Sequence, residues 1–449
     1  MKELRGRPRR PARTRRPVGL TVLCALAALL ALARDGRADA PETPPMRRLV
    51  LCLDGTWNNA ERGTEVEAGR TRFKPTNVLK TYRAVVPAAP DGTTQIAYYS
   101  EGVGAFVGEP TRLLWLQKLT DRVFGGAYGG GFEGRVKSAY RFLAGNYRPG
   151  DEIYVFGFSR GAAQARSLVR FVDWSGGILH KEDEYYITEL FSRFRTSRAG
   201  QGEAARLLAE IRSRGSRGED AVRAPQPATI RFLGVYDTVL ALGLRLRSDR
   251  EEGVDVPTVA PRHAFHVGTS PPAIVEIARQ ALAIDEARWD YRPQVWSRPG
   301  SPAQSLAQRW FSGVHTNAGG GRQRDGVANV ALHWMVGEAE SAGLVLDDRY
   351  LGHFRGWFGD ERPTRTAGKF RLIDTLRGKR GRGRRSLDRP AEAGLSVDPS
   401  ALHLMLHDAA YRPANLLDHL AAHPEALEVV AEEEKRAELA RIVAGRRGG

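Results

Sequence analysis

A chain of 449 residues with 42% hydrophobic residues, including 8 Trp, 13 Tyr and 16 Phe, can bury a large core, which excludes a disordered or low-complexity protein. The net charge of +16 would suit a nucleic-acid binder, but residues 1–40 supply +7 of it, from ten Lys/Arg against three Asp/Glu. Much of the rest sits in Lys369–Arg389, with nine basic and two acidic residues; its densest part, Arg377–Arg385, has no interleaved aromatics, so nucleic acid is not expected as a partner.

In chain order, eight basic residues at positions 2–16 precede an apolar run of sixteen, Val18 to Ala33. That is short for a membrane span and suits a signal-peptide core, with Ala38-Asp39-Ala40 as a small-x-small cleavage site. Thr14-Arg15-Arg16 leaves a twin-arginine route open. Residues 1–40 therefore read as an export signal, placing the mature chain in the periplasm or outside the cell. An uncleaved inner-membrane anchor is the alternative. Cys24 lies in that run, so Cys52 would be left alone, with no intrachain disulfide.

After a linker at 41–47, strand-like and helical runs alternate over 48–420, the pattern of an α/β fold: a mostly parallel sheet with helices on both faces. Leu49–Leu53 and Gln95–Tyr99 read as strands and Asn77–Val86 as a helix. The glycine-rich 125–131 reads as a loop before a helix over Glu133–Asn146. Glu152–Phe158 is a strand and the helix after it runs to about Val172. Residues 180–222 read as a helical insertion that caps a site, and 245–308 as an irregular one. Between them Ile230–Tyr236 is a strand. Trp310–Val314 is a short strand and Val327–Ala342 a helix. The segment 369–389 reads as a basic loop suited to an anionic membrane surface, and 421–449 as a helical tail.

Gly157-Phe158-Ser159-Arg160-Gly161 follows a strand and opens a helix, which makes it a nucleophile elbow. Glycine is needed at 157 and 161 because a Cβ there would strike the neighbouring strand or helix. The Arg160 N–H, at the helix start, is placed to hold a developing oxyanion. Ligands in open α/β sheets bind beyond the carboxyl ends of the strands. Asp54-Gly55-Thr56, Ser159, Asp237-Thr238 and His315-Thr316-Asn317 all follow strands. Ser159, Asp237 and His315 come in the chain order of a hydrolase triad. Such chemistry needs a base to take the hydroxyl proton and a carboxylate to fix the imidazole tautomer. Asp237 also fits an Asx turn or helix cap, and His315 a hydrogen-bonded loop histidine. Asp54 lacks the second aspartate of a haloacid-type phosphatase, so it is read as orienting a loop in which Gly55 or Thr56 supplies a second oxyanion donor. His403 and His407 share a helix face, but no Glu completes a zincin pattern. No metal or organic cofactor is expected.

Several segments, in order from 48 to 416, resemble the α/β-hydrolase domain that includes the Tle1-type type VI secretion phospholipase effectors. They are Cys-Leu-Asp-Gly-Thr-Trp-Asn (52–58), Thr-Asn-Val (76–78), Tyr-Ser-Glu-Gly-Val-Gly (99–104), Gly-Phe-Ser-Arg-Gly-Ala (157–162), Leu-Gly-Val-Tyr-Asp-Thr-Val (233–239), Ala-Ile-Asp-Glu-Ala-Arg (283–288), Trp-Phe-Ser-Gly-Val-His (310–315) and Tyr-Arg-Pro-Ala-Asn-Leu (411–416). The resemblance implies a serine hydrolase acting on esters, with lipids as the substrate class, through Ser159, Asp237 and His315. Two departures stand out: Thr316-Asn317 where relatives usually carry Ser-Asp, and Asp398-Pro399-Ser400 where they tend to carry His-Pro-Ser. The expected function is an exported esterase or lipase, plausibly a phospholipase. The alternative is an inactive hydrolase-fold protein that binds anionic membrane or envelope polymers.

Overall fold

The first strand, β1 (Arg47–Leu53), sends Leu49, Leu51 and Leu53 into one apolar cluster and Val50 and Cys52 into another. A strand that is apolar toward both sides needs cover on both faces, and helices supply it. The computed structural model describes residues 46–55, 58, 63–67, 70–102, 126–197, 201–214, 222–240, 266–358, 383–388 and 390–445. The expected export signal and most of the expected linker lie outside the described residues.

The remaining strands are β2 (Gly63–Glu67), β3 (Arg70–Phe73), β4 (Thr94–Ser100), β5 (Glu152–Phe158), β6 (Ile230–Tyr236), β7 (Val275–Ala283), β8 (Ser305–Phe311) and β9 (Leu395–Val397). Seven form one sheet in the order β4-β1-β5-β6-β7-β8-β9, and every pairing in it is parallel. β2 and β3 pair separately as an antiparallel ribbon. On one face lie helices α1 (Asn77–Ala84) and, later in the chain, Gly326–Ser341; on the other lie α2 (Gly126–Asn146) and α3 (Arg160–Ser175).

Register sets the site. Leu53 pairs with both Ser100 and Gly157, Phe158 with Tyr236, and Ala283 with Phe311. The carboxyl ends of these strands therefore lie along one edge. β4 and β5 flank β1 on opposite sides, so the chain reverses its direction of travel across the sheet there. A crevice opens at such a switch point.

Several expectations change. Gly126 onward is helical, so the glycine run forms the first turns of α2: continuation of a packed helix overrides a propensity cost of about 1 kcal/mol per glycine. The insertion at 180–222 forms a 3-10 segment (Lys181–Tyr186), α4 (Ile187–Thr196) and α5 (Gln201–Arg214). Phe191 packs edge-on against Phe171, and Phe194 packs at a tilt against Phe171 and Trp174, in the C-terminal half of α3. The insertion thus covers the far end of α3 rather than the Ser159 end. The irregular stretch 245–308 contains β7, which was missed, and the start of β8, of which only the end from Trp310 was read as strand. Their half-polar pattern (Glu276, Arg279 and Gln280; Gln308 and Arg309) hides them, because the glutamines are satisfied internally: Gln280 Nε2 donates to Gln308 Oε1 at 2.8 Å.

Past β8 come α6 (His315–Gly319), α7 (Gly326–Ser341), α8 (Asp348–Leu351), α9 (Pro399–His407), α10 (Ala414–Ala422) and α11 (Glu433–Gly445). Leu439 and Val443 of α11 bury with Trp310, Leu402 and Leu416 in a third apolar cluster, so the segment expected as a tail is part of the core. Among the described residues no helix is long and apolar enough to cross a membrane.

Candidate active site

Ser159 follows β5 with φ 59° and ψ −122°, in the left-handed half of the map, where a side chain is strained by about 1–3 kcal/mol. The fold enforces that turn. A Cβ on Gly161 would sit 2.1 Å from the Leu53 carbonyl oxygen, and one on Gly157 2.6 Å from Ala162 Cα. Both contacts are with backbone, so neither can be relieved by a side chain moving aside. The Ser159 N–H donates to the Tyr236 carbonyl at 2.9 Å, which ties the elbow to the end of β6.

The structure brings Ser159, Asp237 and His315 together. Ser159 Oγ lies 2.8 Å from His315 Nε2, and His315 Nδ1 lies 2.5 Å from Asp237 Oδ2. A carboxylate only accepts, so Nδ1 carries the proton and Nε2 is left to accept from the serine hydroxyl. All three residues are buried. His315 opens α6 directly after β8, and its ring packs between Phe158 and Tyr291 at centroid distances of 4.7 and 4.9 Å. Asp237 also has a positive φ, 44°, and its N–H donates to Ala281 O at 2.7 Å.

Electrostatics set the charge states. Burial pushes the His315 imidazole below the ordinary histidine value, against the opposing pull of Asp237. The ring is therefore neutral at neutral pH, the state in which an imidazole can accept a proton. Burial alone would raise the Asp237 carboxyl, but the Arg385 guanidinium and His315 hold it well below the usual carboxylate range.

Arg385 is the residue that sequence reasoning missed. Nη1 and Nη2 donate to the two carboxylate oxygens of Asp237 at 2.5 and 2.9 Å, and also to the carbonyls of Ala283 (2.8 Å) and Tyr291 (2.5 Å). The expected basic loop therefore turns Arg385 into the protein at this point. Within 383–388, Gly383, Arg385 and Leu387 are buried while Arg384, Ser386 and Asp388 are exposed. That period-2 pattern is extended chain lying on the protein. Residues 369–382 and 389 lie outside the described residues. A second buried group lies in the 283–288 segment, one of those that carry the family resemblance. Glu286 is buried, accepts from Arg288 Nε and Nη2 at 2.8 and 2.7 Å, and takes the His315 N–H at 3.3 Å. The Arg288 guanidinium stacks 3.5 Å from the Tyr291 ring centroid, behind the His315 ring.

Asp54 is buried at the end of β1, where Oδ2 accepts from Thr76 Oγ1 (2.6 Å) and Tyr99 OH (2.7 Å). Its Oδ1 accepts the Gly55 N–H at 2.6 Å. Gly55 therefore departs from the expected open oxyanion donor, since its own neighbour holds its N–H. Its Cα still abuts Ser159, because a Cβ there would come within 3.1 Å of the serine Cβ. Thr56 lies outside the described residues. The two departures from the family pattern have local structural roles. Asn317 Oδ1 accepts the Val314 N–H at 3.0 Å, and Asp398 caps α9 by accepting from the Ser400 N–H at 2.9 Å.

Residues 47–338 match the family model described as "T6SS, Phospholipase effector Tle1-like, catalytic domain". The chain belongs to this family. The matched stretch includes Ser159, Asp237 and His315 and stops short of Arg385. A curated relative, "Uncharacterized protein YEL023C" of Saccharomyces cerevisiae, is 28% identical over 257 residues, which is 55% of this chain and 32% of the relative. The chain thus spans about a third of that relative's length. Two solved structures are similar at a TM-score of 0.37 and 15% identity. One is an uncharacterized protein from Pseudomonas aeruginosa, covering 95% of this chain and 65% of that one. The other is the Tle1 effector bound to the VgrG spike of the type 6 secretion system, covering 78% and 83%. The fold assignment here rests on the sheet order and register.

Proposed function

We propose that the chain is a serine hydrolase that cleaves carboxylic esters of lipids, with Ser159 as nucleophile, His315 as general base and then acid, and Asp237 orienting His315. The observation that carries this reading is the continuous chain of short contacts from Ser159 Oγ through both nitrogens of His315 to Asp237. Membership in a family described as phospholipase effectors supports the lipid substrate class.

Neutral His315 accepts the Ser159 proton at Nε2 as Oγ attacks the acyl carbonyl. The N–H of Arg160, at the positive end of α3, is assigned as donor to the charge that builds on the carbonyl oxygen. The imidazolium then protonates the leaving alcohol, and a water activated by the same nitrogen frees the acyl group. Asp237 stabilises the imidazolium, and Arg385 holds Asp237 in place. The basic-then-apolar segment 2–33 supports export as the route to such a substrate. The two departures from the family pattern, which would favour an inactive binding protein, are both engaged in capping: Asn317 and Asp398 each accept from a backbone N–H at a helix start.

The test is hydrolysis of p-nitrophenyl esters of short and long acyl chains and of phospholipid vesicles, followed across pH. Acyl release from phospholipid is expected, with kcat/KM falling on the acid side as His315 protonates. Because burial lowers its pKa, the midpoint of that limb should lie below pH ~6.5. No acyl release from any of these substrates, or a limb centred above that value, would count against the assignment.

A further inference from the structure

A cluster of metal-ligating side chains sits outside the catalytic machinery and outside the matched family segment. His419 lies on α10, His423 follows one turn later just past its end, and Asp388 closes the extended segment that carries Arg385. Asp388 Oδ1 is 2.7 Å from His419 Nδ1 and 3.6 Å from His423 Nε2, and one ligand atom from each residue falls within 4.8 Å of the others. His423 Nδ1 lies 3.1 Å from Glu425 Oε1. A carboxylate there holds the Nδ1 proton and leaves the Nε2 lone pair facing Asp388, the arrangement that orients metal-binding histidines. Tetrahedral zinc, with bonds of about 2.0–2.2 Å, sets its ligand atoms ~3.4 Å apart; the Asp388–His423 pair at 3.6 Å is near that spacing, and the Asp388–His419 pair, hydrogen-bonded at 2.7 Å, opens as the ion displaces the proton between them. Two imidazoles and one carboxylate favour zinc-class ions over calcium or magnesium, which prefer all-oxygen sites. The half-buried histidines and exposed Asp388 leave a side open for entry and for a bound water.

We propose that Asp388, His419 and His423 bind a zinc-class divalent ion that staples the Arg385 segment to α10. The helix already grips that segment at one point, where Asn415 Nδ2 donates to Arg385 O at 3.1 Å and to Ile284 O at 3.0 Å. The ion adds a second point three residues further on. It keeps the guanidinium seated on Asp237 without touching the reacting atoms.

The experiment is calorimetric titration of zinc into metal-stripped, tag-free full-length chain, repeated for His419→Ala, His423→Ala and Glu425→Gln. A single equivalent of zinc is expected, with affinity weakened at least tenfold in each histidine variant and about 10–100-fold in Glu425→Gln. Magnesium should not compete. The readout needs no substrate, so it stands apart from the hydrolase reading. Zinc that fails to bind, or that binds equally well to both histidine variants, would overturn the proposal and leave Asp388 and His419 as a simple ion pair.

Discussion

Replacing Ser159 with alanine is expected to lower kcat for ester hydrolysis by roughly ten-thousand- to million-fold, leaving only binding and oxyanion contributions. The fold should survive, since alanine removes one oxygen from a turn held by Gly157, Gly161 and the bond to Tyr236 O. KM should change little. His315→Ala should cost a similar factor, because the hydroxyl of a serine is a poor nucleophile without its base. The two act as one unit, so the double variant should be no slower than the worse single one. Losses that multiply would mean that Ser159 and His315 serve separate steps.

Arg385→Met carries the largest expected effect on stability. Asp237 is wholly buried, and without the guanidinium its carboxylate is left, among the described residues, with His315 and the Ala283 N–H as hydrogen-bond partners. Breaking a buried pair from one side costs about 3–5 kcal/mol. The change should appear as a lower denaturation midpoint at unchanged slope. Arg385→Met combined with Asp237→Asn should recover part of the loss, because no bare charge is left, and the cycle measures the coupling. A second readout separates positioning from mere stability. Removing a cation beside the Asp237–His315 pair should raise the His315 pKa and move the acid limb of kcat/KM upward. A stability change under about 0.5 kcal/mol, typical of a surface site, would contradict this account of Arg385.

The elbow was legible because its chemistry is local. Strand, glycine, serine, glycine and helix follow one another within a dozen residues, and the backbone alone demands them. Asp237 and His315 were legible one level up: each follows an apolar run, and parallel strands deliver their ends to one edge. Arg385 could not be found that way. Its partner lies 148 positions earlier, and its neighbours Arg384 and Asp388 make the run look solvated. Only the alternation of Gly383, Arg385 and Leu387 hints at a buried face. β7 was lost for a related reason: Arg279 and Gln280 break its apolar pattern, and their partners, Glu338 and Gln308, belong to distant elements. Polar groups satisfied by distant sequence are where reading one segment at a time fails.

Labelling of the folded chain by a fluorophosphonate tests Ser159 as an activated nucleophile most directly. The expected result is a single adduct on the peptide that contains Ser159, absent from Ser159→Ala, strongly reduced in His315→Ala and lost when the chain is denatured first. A folded chain that stays unlabelled, or an adduct that persists in Ser159→Ala, would contradict the triad.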